Sequence, residues 1–387
     1  MRQTKIIILN ALIVLALSGC IEYYYPKEIE GNKEKYVVSG QVTTTPGYQY
    51  IRVSKTSLIT LPTYKPIEGC HVQIIDGQSN TFTAEATDVK GEYSVWIDEE
   101  FLYPGNSFKV VVATPEWIFI ESEFDTIKPC PEIQDVYYKR VDKPTPDPND
   151  IIRGVQFMID LVADQQHDRF YRWDIEETYE YRATYPITIY WTPDSFTLVD
   201  PADMSFFYCW DTKPVKNIYT LSTKGLAENE FKGYNLHFVN NRSQKLMFQY
   251  SIYVTQYAIS EAFYNYLELL RVNATELGGM FGTQPLNIKG NLSSPNHPDL
   301  DILGFFGVSS SYSKRFFYSN IEDLFFELPD FCMPQELDQG IQPYVMLQTL
   351  VYFLIDGGQL KWAQQQCFDC RLSGGTIEKP SYMPFIP

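Results

Sequence analysis

The sequence has very little histidine. Four residues, His71, His167, His237 and His297, stand far apart in a chain of 387. That is thin material for a Ser-His-Asp triad or a His-built zinc site, although distant residues can meet in a fold. GxSxG, HExxH, Walker A and GxGxxG are all missing, so there is no nucleophile elbow, zinc-protease helix or phosphate cradle to read. No catalytic residue, metal ligand or cofactor is expected, and the reading is of a protein that is not an enzyme. Carboxylates are plentiful, but nothing selects a glycosidase-like pair. Asp147, Asn149 and Asp150 have calcium-ligand chemistry without the Gly and distal Glu of an EF-hand loop. Positive charge is also in deficit. Lys and Arg number 31 against 48 Asp and Glu, a formal charge of −17. Such a chain is repelled by nucleic acid and anionic head groups, so no nucleic-acid partner is expected. The charge reads most simply as solubility. Repeats, coiled coils and low-complexity tracts are absent.

What is present begins at the N-terminus. Arg2 and Lys5 precede the apolar run Ile6–Leu17, broken only by Asn10, and Leu17-Ser18-Gly19-Cys20 follows. The run falls short of the roughly twenty residues that span a hydrocarbon core. A basic start, a short apolar core and small residues before a cut read as an export signal over residues 1–19. The ending resembles a bacterial lipobox, which makes Cys20 the candidate lipidation site and the N-terminus of the mature chain. Removing Arg2 and Lys5 with no acid takes the formal charge from −17 to about −19. Several acyl chains, each buried methylene worth roughly 0.8 kcal/mol, imply durable anchoring. Ile21 follows Cys20 where an inner-membrane retention signal would have Asp, so the outer membrane is the expected address. Residues 20–34 read as a tether.

Six cysteines remain: Cys70, Cys130, Cys209, Cys332, Cys367 and Cys370. An even number in an exported chain points to disulfides. Cys367-Phe368-Asp369-Cys370 has no second CxxC and no nearby His, which favours structural bonds over zinc or redox chemistry. Cys70 and Cys130 flank most of the first domain and are expected to pair. Cys209, Cys332, Cys367 and Cys370 then form two bonds, with Cys367 and Cys370 each reaching a distant partner. Asn241, Asn273 and Asn291 open N-glycosylation patterns that a bacterial lipoprotein rarely uses.

Hydrophobic residues make up 44% of the chain, enough for real cores, and aromatics make up 16%, with 29 Tyr and 25 Phe. Aromatics favour strands and also build sugar- and protein-binding surfaces. Alternation and turn signals place strand segments at Tyr36–Val42, Tyr50–Ser54, Pro66–Gly77, Thr81–Ala84, Lys90–Val95 and Pro104–Val112, with Asp76-Gly77 as a hairpin turn. This is a first β-sandwich over 35–128. The Pro- and Asp-rich stretch 143–150 reads as an exposed loop. Strands resume at Gly154–Leu161, Phe170–Thr178, Tyr234–Val239 and Lys245–Val254, a second and larger sandwich over 129–387. Inside it Ile259, Ala262, Phe263, Tyr266, Leu267 and Leu270 recur at helical spacing behind an N-cap at Ser260, giving one helix over about 259–272. The fold class is therefore mainly β, two sandwiches with one inserted helix.

Two resemblances follow from these residues. The hairpin Pro66–Gly77, with Gly91-Glu92-Tyr93-Ser94 and Pro104-Gly105 before Phe108, resembles a transthyretin-like or carboxypeptidase-regulatory-like sandwich. Over nearly its full length the chain resembles the Bacteroidota lipoproteins of domain of unknown function 4249. The lipobox, the Phe170-Tyr171-Arg172-Trp173 segment, the helix, Gly304-Phe305-Phe306-Gly307 and the Cys-rich Gly-Gly tail carry that likeness by their order. Genes of that family commonly lie beside those for TonB-dependent receptors. The resemblance thus implies an accessory or ligand-capturing role at such a receptor barrel. A structural or assembly role in the envelope, or surface glycan binding, is the alternative. Asp125-Thr126-Ile127 resembles the Bacteroidota O-glycosylation motif and makes Thr126 a candidate for that modification.

Overall fold

The computed structural model describes residues 34–57, 62–192, 195–276, 288–328, 331–337, 340–345 and 350–384. The signal segment, Cys20 and nearly all of the tether lie outside them, as does Gly278-Gly279.

The chain is mainly β. Its first unit is hydrogen-bonded in the order Tyr36–Thr43, Gly47–Lys55, Glu92–Ile97, Thr81–Ala86, His71–Asp76, Ser107–Ala113, Phe119–Ser122. Alternation decides its faces. Val72 and Ile74 on one strand, and Phe108, Val110 and Val112 on its neighbour, are fully buried, while the residues between them are not. The Asp76-Gly77 turn forms as expected. The Asp76 carboxylate accepts the Gln78 and Asn80 backbone N–H groups at 2.9 and 2.8 Å, closing the hairpin that pairs Val72 with Ala84.

This unit is not contiguous in sequence, which corrects the 35–128 boundary. Its core also takes Ile302, Phe306 and Val308 from far along the chain. The short strand Ile302–Leu303 carries in Ile302, and the strand Phe306–Ser319 carries in Phe306 and Val308. Phe306–Ser309 pair in parallel with Gly40–Thr43, and Ser310–Ser319 pair antiparallel with Gln249–Ala258. One strand thus belongs to two sandwiches, and a single hydrogen-bonded path runs through both. The reason is local: Phe306 and Val308 face the first core, whereas Tyr312, Phe316 and Tyr318 pack on the second. Asn291 clamps the crossover, accepting the Phe306 N–H at 3.0 Å and donating to the Phe306 carbonyl at 2.8 Å.

The second sandwich packs a three-stranded sheet, Val136–Pro144, Ile151–Val162 and Glu230–Asn240, on the strands Phe170–Arg182, Gln249–Ala258 and Phe306–Ser319. Residues 145–150 are the turn of its first hairpin, and there Asp150 pairs with Arg242. Phe157 stacks on Tyr250 at 5.2 Å, and Trp173 is wholly buried, its indole N–H donating to Gln256 at 2.9 Å. The reading of 129–387 as one sandwich missed a third unit. Residues 187–203 leave the second sandwich as a hairpin and pair with Val351–Asp356 in a separate five-stranded sheet with its own small cores.

The expected helix is Glu261–Glu276, and the Ser260 hydroxyl caps it by accepting the Phe263 N–H at 3.3 Å. Phe263 and Leu267 are buried, whereas Ala262 stays exposed. Phe263 stacks on Phe305 at 4.7 Å and presses on Gly307, where a Cβ would lie 2.4 Å from the ring. Gly307 therefore has to be glycine for the helix to dock. A short second helix, Gln342–Val345, follows later.

Asp125 sits where these parts meet. It is buried, and its carboxylate accepts the Val308 N–H at 3.0 Å and the Ser260 hydroxyl at 3.2 Å. Burial raises its pKa, against the pull of those hydrogen bonds. Thr126 lies in a two-residue strand, half-buried, its hydroxyl 2.9 Å from that of Ser107. The three-residue motif that suggested modification is taken up by this joint.

Candidate functional site

Six cysteines were candidates for three bonds, and two bonds form: Cys209–Cys370 and Cys332–Cys367. The halves of the CxxC each reach a distant partner. The expected Cys70–Cys130 bond does not form, and both are free thiols. The reason is that they serve different cores. Cys70 packs against the first core beside Tyr93, whose hydroxyl accepts its backbone N–H at 2.9 Å. The chain leaves that core at Ile127 and delivers Cys130 into the second, against Gln256. Burial raises the pKa of both thiols, that of Cys130 to about 12, so neither is a ready nucleophile at neutral pH.

Among the described residues no group of three or more His, Cys, Asp or Glu is placed to hold a metal ion. The histidines are dispersed. His167 Nδ1 lies 2.6 Å from Asp164 Oδ1 in a turn, and His297 sits in a loop. His237 faces Glu177 at 3.3 Å. Glu177 is a deeply buried acid with several partners: His237, Lys245, and the Tyr250 hydroxyl at 3.1 Å. Burial alone would raise its pKa. The hydrogen bonds from His237 and Lys245 and the Lys245 charge outweigh that and hold it at about 2. At neutral pH it is a carboxylate with no proton to give.

That depressed pKa makes a stability prediction. Above about 4.5, its ordinary value, Glu177 is ionised in both folded and unfolded chains and its stabilisation is complete. The stabilisation is lost as pH falls from about 4.5 to about 2, amounting to about 3 kcal/mol. Urea unfolding of Glu177→Gln and wild type at pH 6 and pH 3 should show a smaller pH effect in the variant by about 2 kcal/mol, since pH 3 still lies above the folded value. Equal pH effects would refute it.

Two clefts remain. The larger, about 620 Å³, lies beside Cys130, Asp164, His167, Arg169 and Asn229. Its polar groups are spent on the protein. Arg169 donates to the carbonyls of Thr223 and Leu226 at 3.1 and 3.0 Å, and the Asn229 amide bonds the Asp168 carbonyl and Thr223. This is a polar knot that shapes a turn.

The second cleft, about 520 Å³, opens at one end of the sheet shared by the sandwiches. Strand register builds it. Glu180 faces Trp210, Arg182 faces Tyr208, and Gln249 faces Ser319. Tyr250 pairs with Tyr179, so Gln249 lies beside Glu180 and one row crosses four strands. Cys209, between Tyr208 and Trp210, points the other way, and its bond to Cys370 pins that strand from behind. The tail runs along the edge of that strand, exchanging hydrogen bonds of 2.8 and 2.9 Å between the backbones of Trp210 and Thr376. Gly375 permits that approach, since a Cβ there would lie 2.4 Å from the Tyr181 hydroxyl. The Arg182 guanidinium is stacked between Phe248 at 3.9 Å and Tyr208 at 5.1 Å, and its Nε donates to Glu180 at 2.8 Å.

Of four buried side-chain polar atoms without a partner among the described residues, two belong to residues that line this cleft, Trp210 Nε1 and Gln249 Oε1, and both atoms are enclosed. An unmet buried donor or acceptor costs about 1–3 kcal/mol, so two in one place need an explanation. Sequence reasoning missed this site. Its residues come from five separate segments, and only the abundance of aromatics hinted at a binding surface.

Joined β-sandwiches around a stacked aromatic and guanidinium cleft define a multi-sheet β protein with a built small-molecule-sized recess. The chain belongs to the family described as a domain of unknown function, DUF4249, whose match covers residues 21–315. No curated protein matches the chain. A solved DUF4785 family protein from Legionella pneumophila is similar over 57% of this chain and 51% of its own, at 9% identity and a TM-score of 0.18. The chain spans about half the length of that protein, and a likeness so low carries no argument.

Proposed function

We propose that this protein is a non-enzymatic, lipid-anchored outer-membrane lipoprotein of the Bacteroidota type that captures a ligand for a TonB-dependent uptake complex. The observation that carries the capture role is the 520 Å³ cleft, walled by Tyr208, Trp210 and Phe248 beside the Arg182 guanidinium. Aromatic walls with a few convergent polar groups suit recognition of a small molecule. Glu177 is held ionised by its neighbours, which suits a structural charge better than a proton donor. The lipobox supports the anchor. No described helix is long and apolar enough to cross a membrane.

Replacing Cys20 with Ala should move the protein from the membrane to the soluble envelope fraction, because acyl insertion is its membrane hold. Retention of Cys20→Ala on membranes after a high-salt wash would count against the anchor. Affinity purification of the tagged, anchored protein from native membranes tests the partner. A receptor barrel in the eluate supports the capture role, and assembly machinery in its place would support an envelope assembly factor. Turnover on a glycan or peptide, lost on one carboxylate change without unfolding, would overturn the non-enzyme reading.

A further inference from the structure

We infer that the end of the first sandwich from which the tether leaves is a membrane-contact surface, where Trp117 and Tyr64 enter the head-group layer of a lipid bilayer. The inference rests on the lipid-anchor reading and adds to it how the folded body is oriented on the membrane.

Strand direction gathers one set of turns at that end. Glu34, the first described residue, is held there by Lys65, and the Thr56 N–H donates to the Lys35 carbonyl at 2.9 Å. Tyr36 pairs with Lys55 across the ladder, and Lys55 pairs with Lys65. The turn between Ser107–Ala113 and Phe119–Ser122 arrives at the same place, where Glu116 accepts from the Tyr36 hydroxyl and from Lys55 Nζ. Trp117 follows with a φ of +60°, a region that a bulky residue rarely adopts. The turn is pinned from both sides. The Trp117 N–H donates to the Thr114 carbonyl at 2.9 Å. The Asn296 side chain donates to the Trp117 carbonyl at 2.9 Å and accepts the Phe119 N–H at 3.0 Å. Held in this way the indole stands outward, 74% exposed. Tyr64, next to Lys65, is 58% exposed, and its hydroxyl donates to the Lys90 carbonyl at 3.4 Å.

Tether length, residue type and charge favour a lipid surface here. Residues 20–33 join Cys20 to Glu34, and even fully extended they reach at most about 50 Å. With Cys20 acylated, the end that carries Glu34 is the part of the body held nearest the bilayer. An indole and a phenol combine an apolar body with a polar edge, and such rings are enriched where membrane meets water. The chain as a whole carries −17 and is repelled by anionic head groups. Around these two rings, however, the lysines and acids are matched: Lys55 with Glu116, Lys65 with Glu34, and Lys90 with Glu68. Behind them Asp301 takes both Lys35 and Lys289. This end thus offers no cationic patch, and its contact is with a zwitterionic surface and survives salt. Another exposed ring pair, Tyr48 and Trp96, packs edge to face at 5.2 Å. Tyr48 lies towards the far end of its strand from Lys55, about 23 Å away along it, so that pair stands clear of the bilayer.

The test uses the full mature chain carrying Cys20→Ala, held at residue 20 by an N-terminal histidine tag on phosphatidylcholine vesicles that contain nickel-chelating lipid. That hold needs no acylation. The emission due to Trp117, taken as the parent minus Trp117→Phe, should fall about two-fold or more when the lipid chains are brominated near the head group. The emission due to Trp96, obtained in the same way with Trp96→Phe, should stay unchanged, and high salt should alter neither. Without the tag the chain should pellet with vesicles at least ten-fold less, because two rings supplement an anchor and do not replace it. Trp117 emission that brominated lipid leaves unchanged overturns the proposal. Equal loss from Trp96 overturns the orientation, and a loss abolished by high salt overturns the aromatic contact. Loss of a protein partner from native membranes in Trp117→Phe, with no quenching by lipid, makes this end a protein-docking face instead. Quenching as expected while Cys20→Ala stays on native membranes removes the acyl anchor and keeps the surface. No quenching while Cys20→Ala is released keeps the anchor and removes the surface.

Discussion

A fragment containing residues 34–128 alone is expected not to fold cooperatively, while the same fragment joined to residues 288–309 should recover protection. The first sandwich closes its core with Ile302, Phe306 and Val308, all at most 3% exposed. Burying each such side chain is worth about 1.5–3 kcal/mol, so losing three removes about 6 kcal/mol. Domains of this size have only about 5–15 kcal/mol in total. The fragment also loses the parallel partner of Gly40–Thr43 and exposes a sheet edge. In the intact chain, Phe306→Ala should cost about 3–5 kcal/mol, read as a lowered urea midpoint. A sharp, two-state unfolding transition in the 34–128 fragment would show that the shared strand is dispensable.

Removing the Cys209–Cys370 bond should be the next largest loss. It closes 161 residues of chain, and the chain-entropy model assigns such a loop about 5 kcal/mol. The Cys332–Cys367 bond lies inside that span and closes 35 residues, worth about 4 kcal/mol on the same basis. A Cys209→Ser, Cys370→Ser variant should therefore unfold at clearly lower urea concentration than wild type under non-reducing conditions. The cleft should suffer too, because Cys209 holds Tyr208 and Trp210 in place from behind. A variant as stable as wild type would mean that the tail is held by its other contacts alone. Those include the Trp210–Thr376 bridge and Tyr382, whose ring covers Arg315 at 3.8 Å.

Much of the β architecture was legible because period-2 alternation is a local property. Val72, Ile74, Phe108, Val110 and Val112 could be assigned to a core from the spacing of apolar side chains, and the Asp76-Gly77 turn from its own chemistry. Ser260 and the Phe263–Leu267 stripe marked the helix for the same reason. Gly304-Phe305-Phe306-Gly307 was visible as a motif, but its meaning was not. Phe305 belongs to the helix cluster and Phe306 to the first core, a division set by two packed neighbours the sequence does not name.

By itself the sequence determined what depends on neighbours along the chain: strands and their buried faces, one capped helix, and an acidic, aromatic-rich composition. Tertiary structure decided what depends on contacts between segments hundreds of residues apart. It divided the strand Phe306–Ser319 between two sandwiches, folded 187–203 and 351–362 into a third unit, and separated Cys70 from Cys130 by sending them to different cores. It also gathered Arg182, Tyr208, Trp210 and Gln249 into one cleft. The physical reason is that burial and hydrogen bonding select among pairings by total fit, and local pattern restricts which face a strand buries but not which strand it meets.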